Sequence, residues 1–262
     1  FTFMKKKKLK PTSSYFLSQK LFRYSRRFLN RELWTYLYVN FQKVKIKNLL
    51  KLVQSEDLSL KKNLNYRKQK KKFNKKKHEY SFYLDKFNSS KPKGKYREYL
   101  NKFMKKINPI TILEFGISEG AGLYSMDEYY KNSYFWGLDI DKNTFIKKKN
   151  FICGYCDQLN MNSIKKILKK FNTKFDLIID DGWHHPQAQI NSIICSLPYL
   201  NHGGVYITED IAHDAYKSSI FELIDYLKKK GFLIEYKKFL IKDRETNLAN
   251  TDNNGYLFIF RK

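Results

Sequence analysis

Cysteine, proline, alanine and glycine are all scarce in this chain of 262 residues, at 3, 5, 5 and 11. Three cysteines (Cys153, Cys156, Cys195) make an odd number without framework spacing, which argues against a disulfide-stapled secreted scaffold and for a reducing interior. Cys153 and Cys156 form a C-x-x-C. With no second pair and no nearby ligand histidine, it reads as two strand-end thiols rather than a redox or zinc motif. No apolar run approaches the ~20 residues of a membrane-spanning helix. Acid is scarce as well, 25 Asp+Glu against 52 Lys+Arg, and unevenly so. Residues 1–100 carry 29 basic and 6 acidic residues, a net of +23, whereas residues 101–262 carry 23 and 19, a net of +4. The chain therefore divides into a basic extension, residues 1–95, and a folded domain, residues 96–262.

Arginine is the minority cation, 8 residues in all. Abundant Lys, Asn, Ile, Phe and Tyr with little Ala, Gly, Pro and Arg is the bias of A+T-rich coding, as in organelle genomes, and carries the expectation of a mitochondrial, otherwise intracellular, location. The start, MKKKKLK, is Lys-rich and does not match an Arg-rich amphipathic transit peptide. Residues 1–20 read as an extended arm, and residues 21–53 as one or two helices too basic to bury fully. Residues 61–78, KKNLNYRKQKKKFNKKKH, repel themselves and cannot build a core. Lysines can track phosphates while interleaved rings stack on bases, so the expected partner is RNA, with rRNA and the proteins of a large ribonucleoprotein foremost. An anionic lipid surface fits less well, because no clean amphipathic face accompanies the lysines.

What is present beyond residue 96 is a repeated strand, turn and acid. YREYLNKFMKKI predicts a helix leading into the strand Thr111–Phe115. Gly116, Gly120 and Gly122 follow, opening into a helix from Leu123, a turn that lets a ligand approach the backbone closely. A second strand ends in Asp139, about 20 residues beyond the glycines, where an acid can accept ribose hydroxyls. A third precedes Asp157 and Gln158. The apolar run FDLII is a strand buried on both faces, and it stops at Asp180 and Asp181. A helical stretch from His185 returns the chain to Val205–Thr208, which ends in Glu209 and Asp210. In a right-handed βαβ unit the two strands are parallel, so Asp180, Asp181, His184, Glu209 and Asp210 are expected to face one crevice at the carboxyl edge of the sheet. A helix cap would account for one of these acids, not for several converging ones.

The loop E-F-G-x-x-x-G, then G-L-D-I-D, C-D-Q, I-I-D-D-G-W-H-H and G-G-V-Y-I-T-E-D resemble class I S-adenosylmethionine-dependent methyltransferases. The metal-dependent macrocin and mycinamicin sugar O-methyltransferases, with their cephalosporin hydroxylase-like relatives, are the most similar group. The resemblance covers about Ile112 to Asp214. It implies an α/β, Rossmann-like, seven-stranded sheet in the order 3-2-1-4-5-7-6. It implies that Glu114, Gly116 and Gly120 cradle the methionine part of S-adenosylmethionine, that Asp139 holds the ribose, and that Asp157 and Gln158 lie near the adenine. Asp181, Glu209 and Asp210 correspond to the ligands of Mg2+, and His184 to the general base. Where the family commonly has serine, this chain has Trp183, which would narrow or fill the acceptor pocket. Two functions follow as expectations: an O-methyltransferase anchored to RNA by its basic extension, or a structural subunit of a mitochondrial ribosome that reuses the fold.

Overall fold

The computed structural model describes residues 78–211, 214–239, 241–242, 249–250 and 255–261. The expectations for the arm, for residues 21–53 and for the lysine run up to residue 77 lie outside the described residues.

Two helices, α1 (Tyr80–Lys86) and α2 (Lys95–Lys106), precede β1 (Thr111–Phe115) and α3 (Ala121–Tyr129). The chain continues through β2 (Tyr134–Asp139), β3 (Phe151–Tyr155), α4 (Met161–Phe171), β4 (Phe175–Asp180), α5 (Pro186–Ser196) and β5 (Leu200–Ile211). It closes with α6 (Asp214–Lys229), β6 (Leu233–Lys238) and β7 (Gly255–Phe260), and a separate antiparallel pair joins Ile241–Lys242 to Ala249–Asn250. The seven strands lie in the order β3-β2-β1-β4-β5-β7-β6, the expected 3-2-1-4-5-7-6, with β7 antiparallel to both neighbours.

The sequence explains these layers. TILEF and FDLIID lie at the centre and are buried almost throughout, because helices cover both faces of a parallel sheet. Alternation along a strand sends neighbours to opposite layers. Leu113, Phe115, Ile178 and Tyr206 meet α4 and α5, where Ile164 and Leu168 lie one turn apart with the lysines of α4 outward. Ile112, Leu177, Ile179, Val205 and Ile207 meet Leu123 and the two leading helices. Asn160 caps α4 by accepting from the Asn162 and Ser163 amides, and Asn172 ends it in the left-handed region at φ 48°.

The boundary set at residue 95 by charge is corrected here. Tyr80 and Leu84 of α1 are buried in the same apolar cluster as Tyr96, Leu100 and Met104 of α2. Arg97, itself buried, donates to the Ser89 and Lys91 carbonyls and to Asp85, which ties residues 85–91 to α2. Composition misled because lysines and apolar residues share these segments, and only packing shows which face turns inward. Leu84→Ala should destabilise the domain by about 2–5 kcal/mol, the cost of deleting a buried leucine side chain. Urea unfolding checks this, and a change below ~0.5 kcal/mol, as at an exposed site, would restore the original boundary.

Candidate active site

The tips of β1, β2, β3 and β4 are laced together at the carboxyl edge. The Gly116 amide donates to the Leu138 carbonyl at 2.8 Å, Asp181 to Phe115 at 3.0 Å, and Cys156 to Asp139 at 2.9 Å. Between these turns lies a cleft of about 260 Å³ lined by Gly116, Asp139, Asp157, Gln158, Asp181 and Trp183, among others. The glycine and acid turns touch. Gly116 sits at φ +86°, and a side chain there would collide with the Asp181 carbonyl.

Several residues expected to meet a cofactor are engaged in building this cleft. The Asp139 carboxylate accepts the Ile117 and Ser118 amides at 2.9 and 3.1 Å and the Asp141 amide at 2.8 Å, so it clamps the glycine turn from the tip of β2. A carboxylate has about four acceptor positions, which leaves it some capacity toward a ligand hydroxyl. Gln158 donates to Asp180 and Ser192, both at 2.8 Å, and accepts the Trp183 amide at 2.8 Å, so it bolts down the turn after β4. Asp157 accepts the Leu159 amide at 3.0 Å. Gly120 starts α3 in the left-handed region at φ +81°. Glu114 lies on the face of β1 toward α2 and α3, against Gly122, behind the cleft rather than in its wall.

Asp180 does not join the acid crevice. On the strand's other face it accepts from Gln158 and from the Tyr206 hydroxyl at 3.2 Å, and burial pushes its carboxyl up to about 7. Trp183 does not separate the acids either. It lines the cleft and packs against the His185 ring, centroids 4.9 Å apart.

The other acids converge as the strand order demands. The ladder between β5 and β7 breaks between Thr208 and Ile211, and Asp210 takes the left-handed φ of 50°, a bulge of the kind that re-aims side chains beside functional sites. His184 Nε2 is 3.4 Å from Asp181 Oδ1, and its Nδ1 is 3.7 Å from Asp210 Oδ2. One ligand atom from each of Asp181, His184 and Asp210 lies within 4.8 Å of the others, compact enough for one metal ion. Burial opposes charge on the imidazole, but its contact with Asp181 and the charge of Asp210 outweigh this and raise its pKa above the ordinary value.

One participant escaped the sequence reading. Lys91, from the loop between α1 and α2, is 4% exposed, and its Nζ lies 2.9 Å from Asp181 Oδ2 and 2.6 Å from both Glu209 oxygens. Burial disfavours its charge, yet the carboxylates of Asp181, Glu209 and Glu114 hold it well above its ordinary pKa. Although burial opposes ionisation of Asp181, Lys91 and His184 bring it down to about 2. Glu209, expected beside the metal, is thus the acid most fully taken up by an internal cation. No local signal marks Lys91 among its neighbouring lysines.

Burial pushes Glu114 up to about 8, with Asp181 and Glu209 adding to it and Lys91 opposing. Its folded pKa exceeds the unfolded ~4.3, so the folded state keeps a proton that the unfolded chain releases, and stability falls as pH rises through that window, by at most ~1.4 kcal/mol per unit. Glu114→Gln should flatten the slope of urea stability between pH 5 and 8. Parallel curves for the two proteins would show that Glu114 is ionised in the fold.

No protein-family profile matches the chain. It is 24% identical over 123 residues to demethylmacrocin O-methyltransferase of Streptomyces fradiae, which is 44% of this chain and 29% of that protein. It is 24% identical, over the same length and shares, to mycinamicin VI 2''-O-methyltransferase of Micromonospora griseorubida. The match thus spans under a third of these curated relatives. Among solved structures, the MycE methyltransferase of the mycinamycin pathway, in complex with Mg and SAH, superposes with a TM-score of 0.56 at 17% identity, covering 70% of this chain and 54% of that one. Strand order, glycine turn and sequence similarity agree: the chain has the fold of the class I S-adenosylmethionine-dependent methyltransferases and, within them, is similar to the macrocin and mycinamicin O-methyltransferases.

Proposed function

We propose that the domain transfers a methyl group from S-adenosylmethionine to an acceptor hydroxyl, and that the basic extension anchors it to RNA. The observation that carries the first part is the position of His184, between Asp181 and Asp210, where Asp181 also lines the cleft beside the glycine turn. A methyl donor in that cleft would present its sulfonium carbon toward the strand tips. The acceptor oxygen forms the new bond to that carbon as the bond to sulfur breaks, and His184 in its neutral form takes the hydroxyl proton. Holding donor and acceptor in line supplies much of the rate enhancement.

The donor set fits a divalent cation. Asp181 and Asp210 supply the hard oxygens that Mg2+ prefers, in a group open enough to leave room for water or substrate oxygens. The buried Tyr80 hydroxyl has no partner among the described residues, and the charges of Lys91, Glu114, Glu209 and Asp181 act on it. When bound there, the cation would lower the pKa of an acceptor hydroxyl. Glu209 can join only in exchange for its contact with Lys91. MycE, with Mg and SAH bound, supports this assignment by likeness of fold.

The acceptor and surroundings belong to the same proposal. The +23 charge of residues 1–100 supports RNA, with rRNA in a mitochondrial ribonucleoprotein as the proposed setting. A second reading, a structural subunit without catalysis, draws support from Lys91, whose ammonium offsets part of the charge of Asp181 and Glu209.

His184→Ala should lower methyl transfer by about 10²–10⁴-fold while leaving SAH affinity unchanged. Calorimetry with SAH and a radiolabelled methyl-transfer assay on RNA check this; equal activity of the two proteins would remove His184 as the base, and no activity in either would favour the structural subunit. Removing residues 1–77 should abolish RNA association while the domain stays folded. Association of the full chain should weaken on the order of 10³-fold between 50 and 200 mM salt if about six phosphates are contacted. Salt-insensitive binding, or binding retained by the truncated chain, would refute the anchor.

A further inference from the structure

The acid cluster meets a cation before any metal arrives. Lys91 reaches it from the loop between α1 and α2, 90 residues from Asp181 and 118 from Glu209 in sequence. The ammonium engages Asp181 Oδ2 and both oxygens of Glu209, leaving Asp181 Oδ1 with His184 and Asp210. This is a built arrangement rather than a surface lysine folded inward. Arg97 donates to the Lys91 carbonyl from Nε at 3.1 Å and Nη2 at 2.8 Å, to the Ser89 carbonyl from Nη2 at 3.3 Å, and to Asp85 Oδ1 from Nη1 at 2.5 Å. The Lys91 amide in turn donates to Ser89 Oγ at 3.3 Å. Withdrawing the ammonium while the loop stays in place leaves the buried Glu209 and the part-buried Asp181 facing each other, and moving the loop breaks the Arg97 contacts.

We propose that Lys91 is a tethered competitor of the divalent cation, setting how tightly, and against which rival ions, Asp181, Glu209 and Asp210 bind it. The inference rests on the reading of these acids as the metal site, and it goes further by assigning the determinant to a residue outside the strand tips. The physical argument is one of charge and donors. When all three are ionised the carboxylates carry −3, and Lys91 reduces this to −2 while occupying three of the oxygens that a metal would use. In the low-dielectric interior a fixed cation this close repels an incoming one strongly. An ion that binds oxygens weakly cannot displace the ammonium from Glu209. An ion with higher affinity for oxygen donors can bind Asp181 Oδ1 and Asp210 without displacing it, which favours Mn2+ over Mg2+.

Mn2+ binding by the full-length protein, read from the electron paramagnetic resonance of the free ion, tests this without reference to methyl transfer. Lys91→Met should bind Mn2+ at least tenfold more tightly than the wild type and should lose most of the preference for Mn2+ over Mg2+ measured by competition. Equal or weaker affinity in Lys91→Met overturns the proposal while leaving the metal site intact. Binding to neither protein overturns the metal reading and this inference with it. Because Lys91→Met leaves buried acids unpaired, the wild type provides a second measurement. Its unfolding temperature should rise more with Mn2+ than with Mg2+ at equal millimolar concentration, since an ion that binds the folded state alone stabilises it according to its affinity. Equal rises with the two ions overturn the proposal whether or not the variant folds.

Discussion

A carboxylate taken out of water must find a cation, a set of hydrogen-bond donors or a proton, and at the tips of β4 and β5 that requirement is met by one ammonium group. Lys91 and Glu209 have almost no exposure, so these two groups have exchanged hydration for each other, while Asp181, a quarter exposed, completes the contact from the cleft side. A buried pair of this kind adds little net stability compared with an apolar core, but breaking it by removing one partner costs several kcal/mol. The loop that carries Lys91 must therefore dock for the site to exist, and docking depends on the rest of the leading segment. Leu84 and Tyr80 bury α1 in the cluster it shares with α2 and α3, and Arg97 bonds the loop to α2.

On the other face of β4 the same requirement is met by donors and a proton. Asp180, pushed up to about 7 by burial, accepts from Gln158, Tyr206 and the Gly182 amide. Two adjacent acids at one strand end therefore do different work because alternation sends them to opposite layers. Asp180 holds the turn from below, and Asp181 faces His184 and the cleft. The glycines of this turn reflect close packing: a side chain at Gly182 would collide with Gln158, and one at Gly116 with the Asp181 carbonyl. The residues that shape the cleft are thus partly the residues expected to contact its occupant, and Gln158 and Asp139 serve the protein's own backbone first.

Much of the architecture was legible beforehand. FDLII read as a doubly buried strand and is one, and the acids and glycines fell at strand ends where turns were expected. Less legible was everything depending on which face a residue takes. Charge density placed residues 80–95 in the extension, yet Tyr80, Leu84, Lys91 and Arg97 are all buried. Lysine 91 looks in sequence like Lys93 or Lys95, and no period or motif separates them.

The sequence alone determined the order of strands and turns, and with it the meeting of Asp181, His184 and Asp210, because parallel strands joined by right-handed crossovers bring their carboxyl ends to one edge. Only the tertiary structure decided what neutralises that edge. The choice of Lys91 is an interaction across 118 residues that exists because α2 packs on the sheet and α1 on α2 and α3, excluding water, and no local pattern encodes an electrostatic debt created by burial.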